Sequence, residues 1–272
     1  MFSNTGLKTL PKVIGAYPSN AAGLFYNSRY LREIPMDFFD TWNFNYWITS
    51  TGGYNGNISG PVRYCWSLRS LPMTFFKNHN PYSYINYCYF NSGFESCIAL
   101  DELVNLPITY IAATWTSNVF SSTFYECHRL KEITFETNED GTPIVIQWKS
   151  QNIDLTNYVG YVSASNKKNI LNYNSGITAD KEVTDDATYQ ALKDDPDWFT
   201  TNIAYSRYNH DSAVATINSL PDTSAYLTAN GGTNTIKFKG KAGSATDGGA
   251  INTLTEEEIA VAAAKGWTVS FV

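Results

Sequence analysis

Charge is the first thing this chain lacks. Only 16% of its 272 residues are Asp, Glu, Lys or Arg, while Phe, Trp and Tyr reach 15%. Disordered chains show the reverse balance, so most of the chain is expected to be ordered. The charges lean acidic, with 19 Lys and Arg against 25 Asp and Glu and a formal net charge of −6. Nucleic acid and anionic membrane both require clustered Lys and Arg, so neither is expected as a partner. No apolar run approaches the roughly 18 residues of a membrane span, so membrane insertion is not expected either. The chain opens without a basic segment leading into an apolar run, and no secretory leader is read there. That reads as export by another route or as an excerpt of a longer protein, and Met1-Phe2 standing inside the first repeat favours the excerpt.

Residues for metal and nucleophile chemistry are also scarce. Three histidines (His79, His128, His210) lie far apart, and four cysteines form no Cys-x-x-Cys pair. A zinc site is therefore not expected, and no cofactor is implied. There is no Gly-x-Ser-x-Gly nucleophile elbow. Gly231-Gly232 and Gly248-Gly249 lack the strand, Gly-rich turn and helix that cradle phosphate. Asp194, Asp195 and Asp197 cluster beside Trp198, and Asp185 and Asp186 lie one helix earlier. They match neither a glycosidase carboxylate pair nor a calcium loop and read as helix caps and solvated surface. The chain is expected not to be an enzyme, with a carbohydrate-active enzyme the remaining catalytic alternative.

What is present is repetition. Leu31-Arg32-Glu33-Ile34-Pro35-Met36-Asp37-Phe38-Phe39 returns as Leu68-Arg69-Ser70-Leu71-Pro72-Met73-Thr74-Phe75-Phe76. Shorter forms stand at Leu7–Pro11, Leu103–Pro107 and Leu130–Thr134. Leu-x-x-[Leu/Ile] cores starting at 7, 31, 68, 103 and 130 are spaced by 24, 37, 35 and 27 residues. The shortest spacing fits a leucine-rich repeat, and the longer ones need insertions. The fold expected is an α/β repeat, a leucine-rich-repeat-like solenoid of short parallel strands. Its divisions are irregular repeats over 1–135, a degenerate connecting region over 136–208 and C-terminal capping repeats over 209–272. Within these, Phe38/Phe39 and Phe75/Phe76 are expected to pack the scaffold.

Cys65 and Cys127 stand three residues before Leu68 and Leu130, as buried core positions rather than disulfide partners. Cys97 stands six before Leu103, where Phe25 and Phe124 precede Leu31 and Leu130. Asn138–Gly141 reads as a turn, with strands at Pro143–Ile146 and Ile153–Thr156 and a helix over Thr184–Lys193. The C-terminal part reads as helix, strand, helix, strand. The first helix runs to Leu220 with Ala213, Ile217 and Leu220 on one face. A strand at Thr235–Lys239 precedes a Thr255/Glu258 capping box that opens the helix Glu256–Lys265, and a strand closes the chain at Trp267–Val272.

Between the repeats lie two insertions rich in Tyr, Trp, Asn, Ser and Gly, Asp40–Tyr54 and Pro81–Tyr87. Long loops on a rigid scaffold carry function, and this composition is that of binding paratopes. Trp42, Tyr46, Trp47, Tyr54, Tyr82 and Tyr84 are the candidate ligand-binding residues. They would offer rings for stacking, with Asn and Ser supplying hydrogen bonds.

Phe124-Tyr125-Glu126-Cys127-His128-Arg129-Leu130-Lys131-Glu132-Ile133 resembles the aromatic-x-x-Cys-x-x-Leu-x-x-Ile unit of BspA-type leucine-rich repeats. Leu24–Pro35 is similar, with Ser28 in place of the cysteine. The closing Leu254–Ile259 and Lys265–Val269, with Tyr189–Lys193 leading to Trp198, resemble the ends of many repeat proteins of gut bacteria and their phages. The resemblance implies surface adhesion and ligand binding in bacteria, and virion or tail-associated roles in phages. The function expected is a structural or binding protein of a phage particle, in a fibre, tail or capsid-attached position. Its partners would be a host-surface glycan or protein, or neighbouring virion proteins. Attachment fibres are often trimers, so a homotrimer is the assembly that reading implies. The alternative is a bacterial cell-surface adhesin.

Overall fold

A computed structural model describes residues 2–10, 23–38, 62–71, 92–97, 100–108, 114–115, 118–127, 130, 132–156, 210–238 and 254–271. The expected helix at 184–193 lies outside them, as do Phe39, Phe75 and Phe76.

The first half is built from one short unit used repeatedly. Each copy has a lead residue, a small polar or thiol residue three later, Leu three after that, and Leu or Ile after three more. The clearest copies are Phe25-Ser28-Leu31-Ile34, Val62-Cys65-Leu68-Leu71, Phe94-Cys97-Leu100-Leu103 and Phe124-Cys127-Leu130-Ile133, and all sixteen side chains are buried. The spacing of three has a backbone cause. The amides of the second and third of these residues each donate to the carbonyl three before, as in Cys97 N to Phe94 O (2.9 Å) and Leu100 N to Cys97 O (3.1 Å), and the fourth lies in the extended segment that follows. These two successive tight turns place the first three of the four side chains on the inner side.

Copies are joined edge to edge. The amide two residues after the lead donates to the next copy's carbonyl one after its lead: Asn4 to Tyr26 (2.8 Å), Asn27 to Arg63 (2.9 Å), Tyr64 to Glu95 (2.8 Å) and Ser96 to Tyr125 (2.7 Å). Farther along, Arg69 N donates to Arg32 O (2.8 Å), and Glu33 bridges Ser70 in parallel. Strand β1 (Glu102–Leu106) then pairs in parallel with β3 (Glu132–Phe135), with Leu103 opposite Ile133. The short β2 (Thr114–Trp115) pairs with β4 (Gln147–Trp148), also in parallel. The lead rings stack through the interior: Phe2 on Phe25 at 5.5 Å and Phe94 on Phe124 at 6.3 Å. Phe38 packs against both Phe2 and Phe25.

Two expected registers are corrected. The fourth copy runs Leu100–Leu103, not Leu103–Leu106, because Leu103 aligns with Ile133 in the sheet. Cys97 therefore occupies the same place as Cys65 and Cys127 and does not replace a lead phenylalanine. The first copy is led by Phe2, which stacks on Phe25, while the Thr5 hydroxyl meets the Ser28 hydroxyl at 3.1 Å. Leu7 thus falls off the inner positions and is 36% exposed.

The C-terminal region combines helices with parallel strands. It comprises α1 (His210–Ser219), α2 (Ser224–Asn230), β6 (Asn234–Phe238), α3 (Glu256–Ala264) and β7 (Trp267–Phe271). Strand β5 (Asn152–Asp154), β6 and β7 form one parallel sheet in that order. β5 comes from the stretch read as connecting and completes the sheet of the C-terminal stretch. α1 buries Ala213 and Ile217, followed by buried Leu220. α3 starts on the Thr255/Glu258 capping box, with both reciprocal bonds made. α2 is a helix where none was expected. It has no buried face, and the Asp222 carboxylate fixes its start by accepting from the Ser224 amide (2.9 Å) and hydroxyl (2.6 Å). The segment read as a strand at Pro143–Ile146 makes single bridges instead, Pro143 to Thr137 and Val145 to Asp222.

Candidate binding surface

Two residues after each lead, the chain turns sharply into the left-handed region. Asn4 (φ 56°), Asn27 (57°), Tyr64 (63°), Ser96 (57°) and Glu126 (58°) all adopt it. Asn tolerates this conformation, whereas a Tyr or Glu there carries a strain of order 1 kcal/mol or more. The same turn in five successive copies sets their side chains in a row along one edge.

That row is tied together from copy to copy. The Asn27 amide donates to Asn4 Oδ1 (2.7 Å), and Arg29 Nε donates to Asn27 Oδ1 (2.6 Å). The Arg29 guanidinium lies over the Trp66 ring of the next copy, 4.6 Å from its centroid. Tyr26 meets Tyr64 edge-on at 5.5 Å. Arg63 donates to Glu95 Oε1 (2.7 Å) and to the Tyr64 hydroxyl (2.9 Å), which itself donates to Glu95 Oε1 (2.9 Å). One copy on, the Ser96 hydroxyl donates to Glu126 Oε2 (2.7 Å). Tyr125 stands exposed beside it.

The electrostatics follow from this packing. Burial opposes the charge on Arg63, but the hydrogen bond and charge of Glu95 outweigh it and raise its pKa. Burial and the Glu95 carboxylate both disfavour a phenolate at Tyr64, so its hydroxyl stays a donor at neutral pH. Glu95 and Ser96 are buried, so the groups this edge offers for recognition are the half-buried Tyr26, Arg29, Arg63 and Tyr64 side chains and the exposed Tyr125.

Under this edge lies a second line of bonds. The side chain three after each lead donates to the lead carbonyl of the preceding copy. Ser28 Oγ bonds Phe2 O, and Cys65, Cys97 and Cys127 Sγ bond Phe25 O (3.0 Å), Val62 O (3.0 Å) and Phe94 O (3.1 Å). All three thiols are free and buried. Burial pushes the Cys65 thiol up to about 12, and the Cys97 and Cys127 thiols upward as well. They are inert donors that hold register.

Trp42, Tyr46, Trp47, Tyr54, Tyr82 and Tyr84 lie outside the described residues, as do His79, His128 and the Asp185–Asp197 cluster. In sequence, the first insertion follows Phe38 and precedes Val62, so it joins two copies of the described unit. The edge residues Tyr26, Arg29, Arg63, Tyr64, Trp66, Glu95, Tyr125 and Glu126 were not among the expected site residues. Counting from the lead residue, rather than from the leucines, picks out their positions. Among the described residues, no group of three or more His, Cys, Asp or Glu is placed to hold a metal ion. No described helix is long and apolar enough to cross a membrane. Comparison with protein-family models, with curated proteins and with solved structures gave no match.

Proposed function

We propose that this chain is a non-enzymatic binding protein on a leucine-rich-repeat-like solenoid. In this reading it serves as a phage virion component, in a fibre, tail or capsid-attached position. It recognises a host-surface glycan or protein, or a neighbouring virion protein. The observation that supports a binding role is the edge-to-edge joining of the copies, with one left-handed turn per copy aligning Tyr64, Ser96 and Glu126 in a row. A scaffold locked this way fixes the points between which the insertions run, Phe38 to Val62 and Leu71 to Ser92. Trp42, Tyr46, Trp47, Tyr54, Tyr82 and Tyr84 sit in those insertions and supply the contacting rings. The virion setting follows from the resemblance to repeat proteins of gut bacteria and their phages.

The test has two parts. Antibody against the chain should detect it in gradient-purified virions; detection only on bacterial envelopes would favour the surface adhesin. Replacing Trp42 and Trp47 with alanine should abolish adsorption to host cells while leaving the melting temperature unchanged. Loss of folding in that variant would make these rings core and overturn their binding role.

A further inference from the structure

One compact group on the edge has the chemistry of a ligand subsite. Tyr26 and Tyr64 stand in neighbouring copies with ring centroids 5.5 Å apart and planes at 67°. The Arg63 guanidinium carbon lies 4.7 Å from the Tyr64 ring centroid. Its bonds run from one nitrogen: Arg63 Nη2 donates to Glu95 Oε1 (2.7 Å) and to the Tyr64 hydroxyl (2.9 Å). Arg63 Nη1 donates to no described residue, and the side chain is 35% exposed. Glu95 is buried and holds both the guanidinium and the phenol in place. The rings and the planar donor beside them are thus set before any ligand arrives.

Tyr64 is not the residue its backbone favours. Two other copies place Asn4 and Asn27 at this left-handed turn, which Asn enters readily. A bulky residue held there against strain calls for a functional reason. Two further features set the kind of ligand. Arg63 and Glu95 cancel in charge, so the guanidinium offers hydrogen bonds with little pull on an anion. Two rings and one donor fork match a single small ring, far less than the roughly 800 Å² that each partner of a stable protein complex buries. A neutral sugar meets both, with an apolar ring face to stack and hydroxyl oxygens to accept. We propose that Tyr26, Arg63 and Tyr64 form a subsite for one neutral pyranose unit of a glycan, stacked on the tyrosines and hydrogen-bonded by Arg63 Nη1. In sequence, the first insertion ends at Val62, the residue before Arg63. The inference rests on the reading of the chain as a glycan-binding protein and places one contact on the scaffold itself.

The test is saturation-transfer NMR of the full chain with the methyl pyranosides of glucose, galactose, mannose and N-acetylglucosamine. At least one of the four should receive transfer from the protein. Tyr64→Asn removes the ring and the phenol and installs the residue of two other copies, so it should stay folded and lose the transfer. Tyr26→Ser, the residue at the equivalent Ser3, should bind roughly tenfold more weakly, the effect of one lost stacking contact. Should Tyr64→Asn fail to fold, Tyr26→Ser alone decides, and unweakened binding in it overturns the proposal. The Trp42→Ala, Trp47→Ala variant should keep the transfer, so the edge and the insertion rings are judged separately. Loss of transfer in that variant would place the sugar on the insertions and overturn the subsite. So would transfer to none of the four sugars, transfer that survives in folded Tyr64→Asn, or displacement of the sugar by inorganic phosphate.

Discussion

The two halves of this molecule solve one problem with different side chains. Both must bond one chain segment to the next through a buried interior. In the first half the bonds are thiols and one hydroxyl: Ser28, Cys65, Cys97 and Cys127 each donate to one carbonyl of the preceding copy. In the C-terminal half they are amides with several partners each. Gln151 Oε1 accepts from Val119 N (2.9 Å), and Asn234 Oδ1 accepts from Gln151 N (2.9 Å). The Asn234 amide also donates to Trp148 O (3.2 Å) and Thr223 Oγ1 (3.0 Å), and the Thr223 hydroxyl continues to Lys265 O (3.0 Å). A thiol is a small hydrophobe with a weak donor, whereas a buried amide has four bonding groups that must all be met. The first half should therefore tolerate change in its polar line, and the second should not.

The largest effect should come from the apolar positions that the two polar lines serve. Phe94→Ala removes a fully buried ring stacked on Phe124 and should cost about 3–5 kcal/mol in chemical denaturation. Next, the two lines can be set against each other. Asn234→Ala should cost about 2–3 kcal/mol, because the Gln151 amide and the Trp148 carbonyl lose their buried partner. Cys97→Ser should cost under about 1 kcal/mol, since Ser28 already fills the equivalent position and a hydroxyl keeps the bond. Equal losses for the two variants would erase the distinction.

The smallest effect concerns the tie between α1 and α3. Burial lowers the His210 pKa, but Glu258 and Asp211 outweigh it and raise it above the ordinary value of 6.5. The Thr255 backbone amide first, then His210, lowers Glu258 below its ordinary 4.5. A raised histidine contributes stability fully below its unfolded value and loses it as pH rises through the folded one. A lowered glutamate contributes above its unfolded value and loses it as pH falls through the folded one. The tie is thus strongest between roughly the ordinary glutamate and histidine values. His210→Gln should flatten the fall in melting temperature between about pH 6 and pH 8. An unchanged slope would mean that His210 does not couple the two helices.

How much of this was legible in the sequence depended on redundancy of signal. The unit at 25–34 and its relatives at 62 and 124 could be read because leucine spacing and the preceding Cys or Ser agree. The fourth copy could not. Leu100-Asp101-Glu102-Leu103-Val104-Asn105-Leu106-Pro107 offers two overlapping Leu-x-x-Leu registers, and Pro107 imitates the prolines at 35 and 72. Strand pairing decides for Leu100–Leu103, and Cys97 three residues earlier was the signal for it. α3 and its capping box were plain because cap chemistry is local. α2 was hidden because it is short and buries no residue, and the Asp222 bonds that start it look like any turn. The edge of Tyr26, Arg63, Tyr64 and Glu95 escaped because it depends on which residues fall beside the left-handed turn, and leucine counting does not mark that turn.

Thiol labelling tests the single repeating unit most directly. The native protein is treated with a thiol reagent near neutral pH, and each cysteine is followed by peptide mass spectrometry across a denaturant titration. Cys65, Cys97 and Cys127 should stay unlabelled in the native state and become reactive together at the unfolding transition. Labelling of Cys97 alone in the folded protein, at the rate of an exposed thiol, would contradict its place in the line and the register built on it.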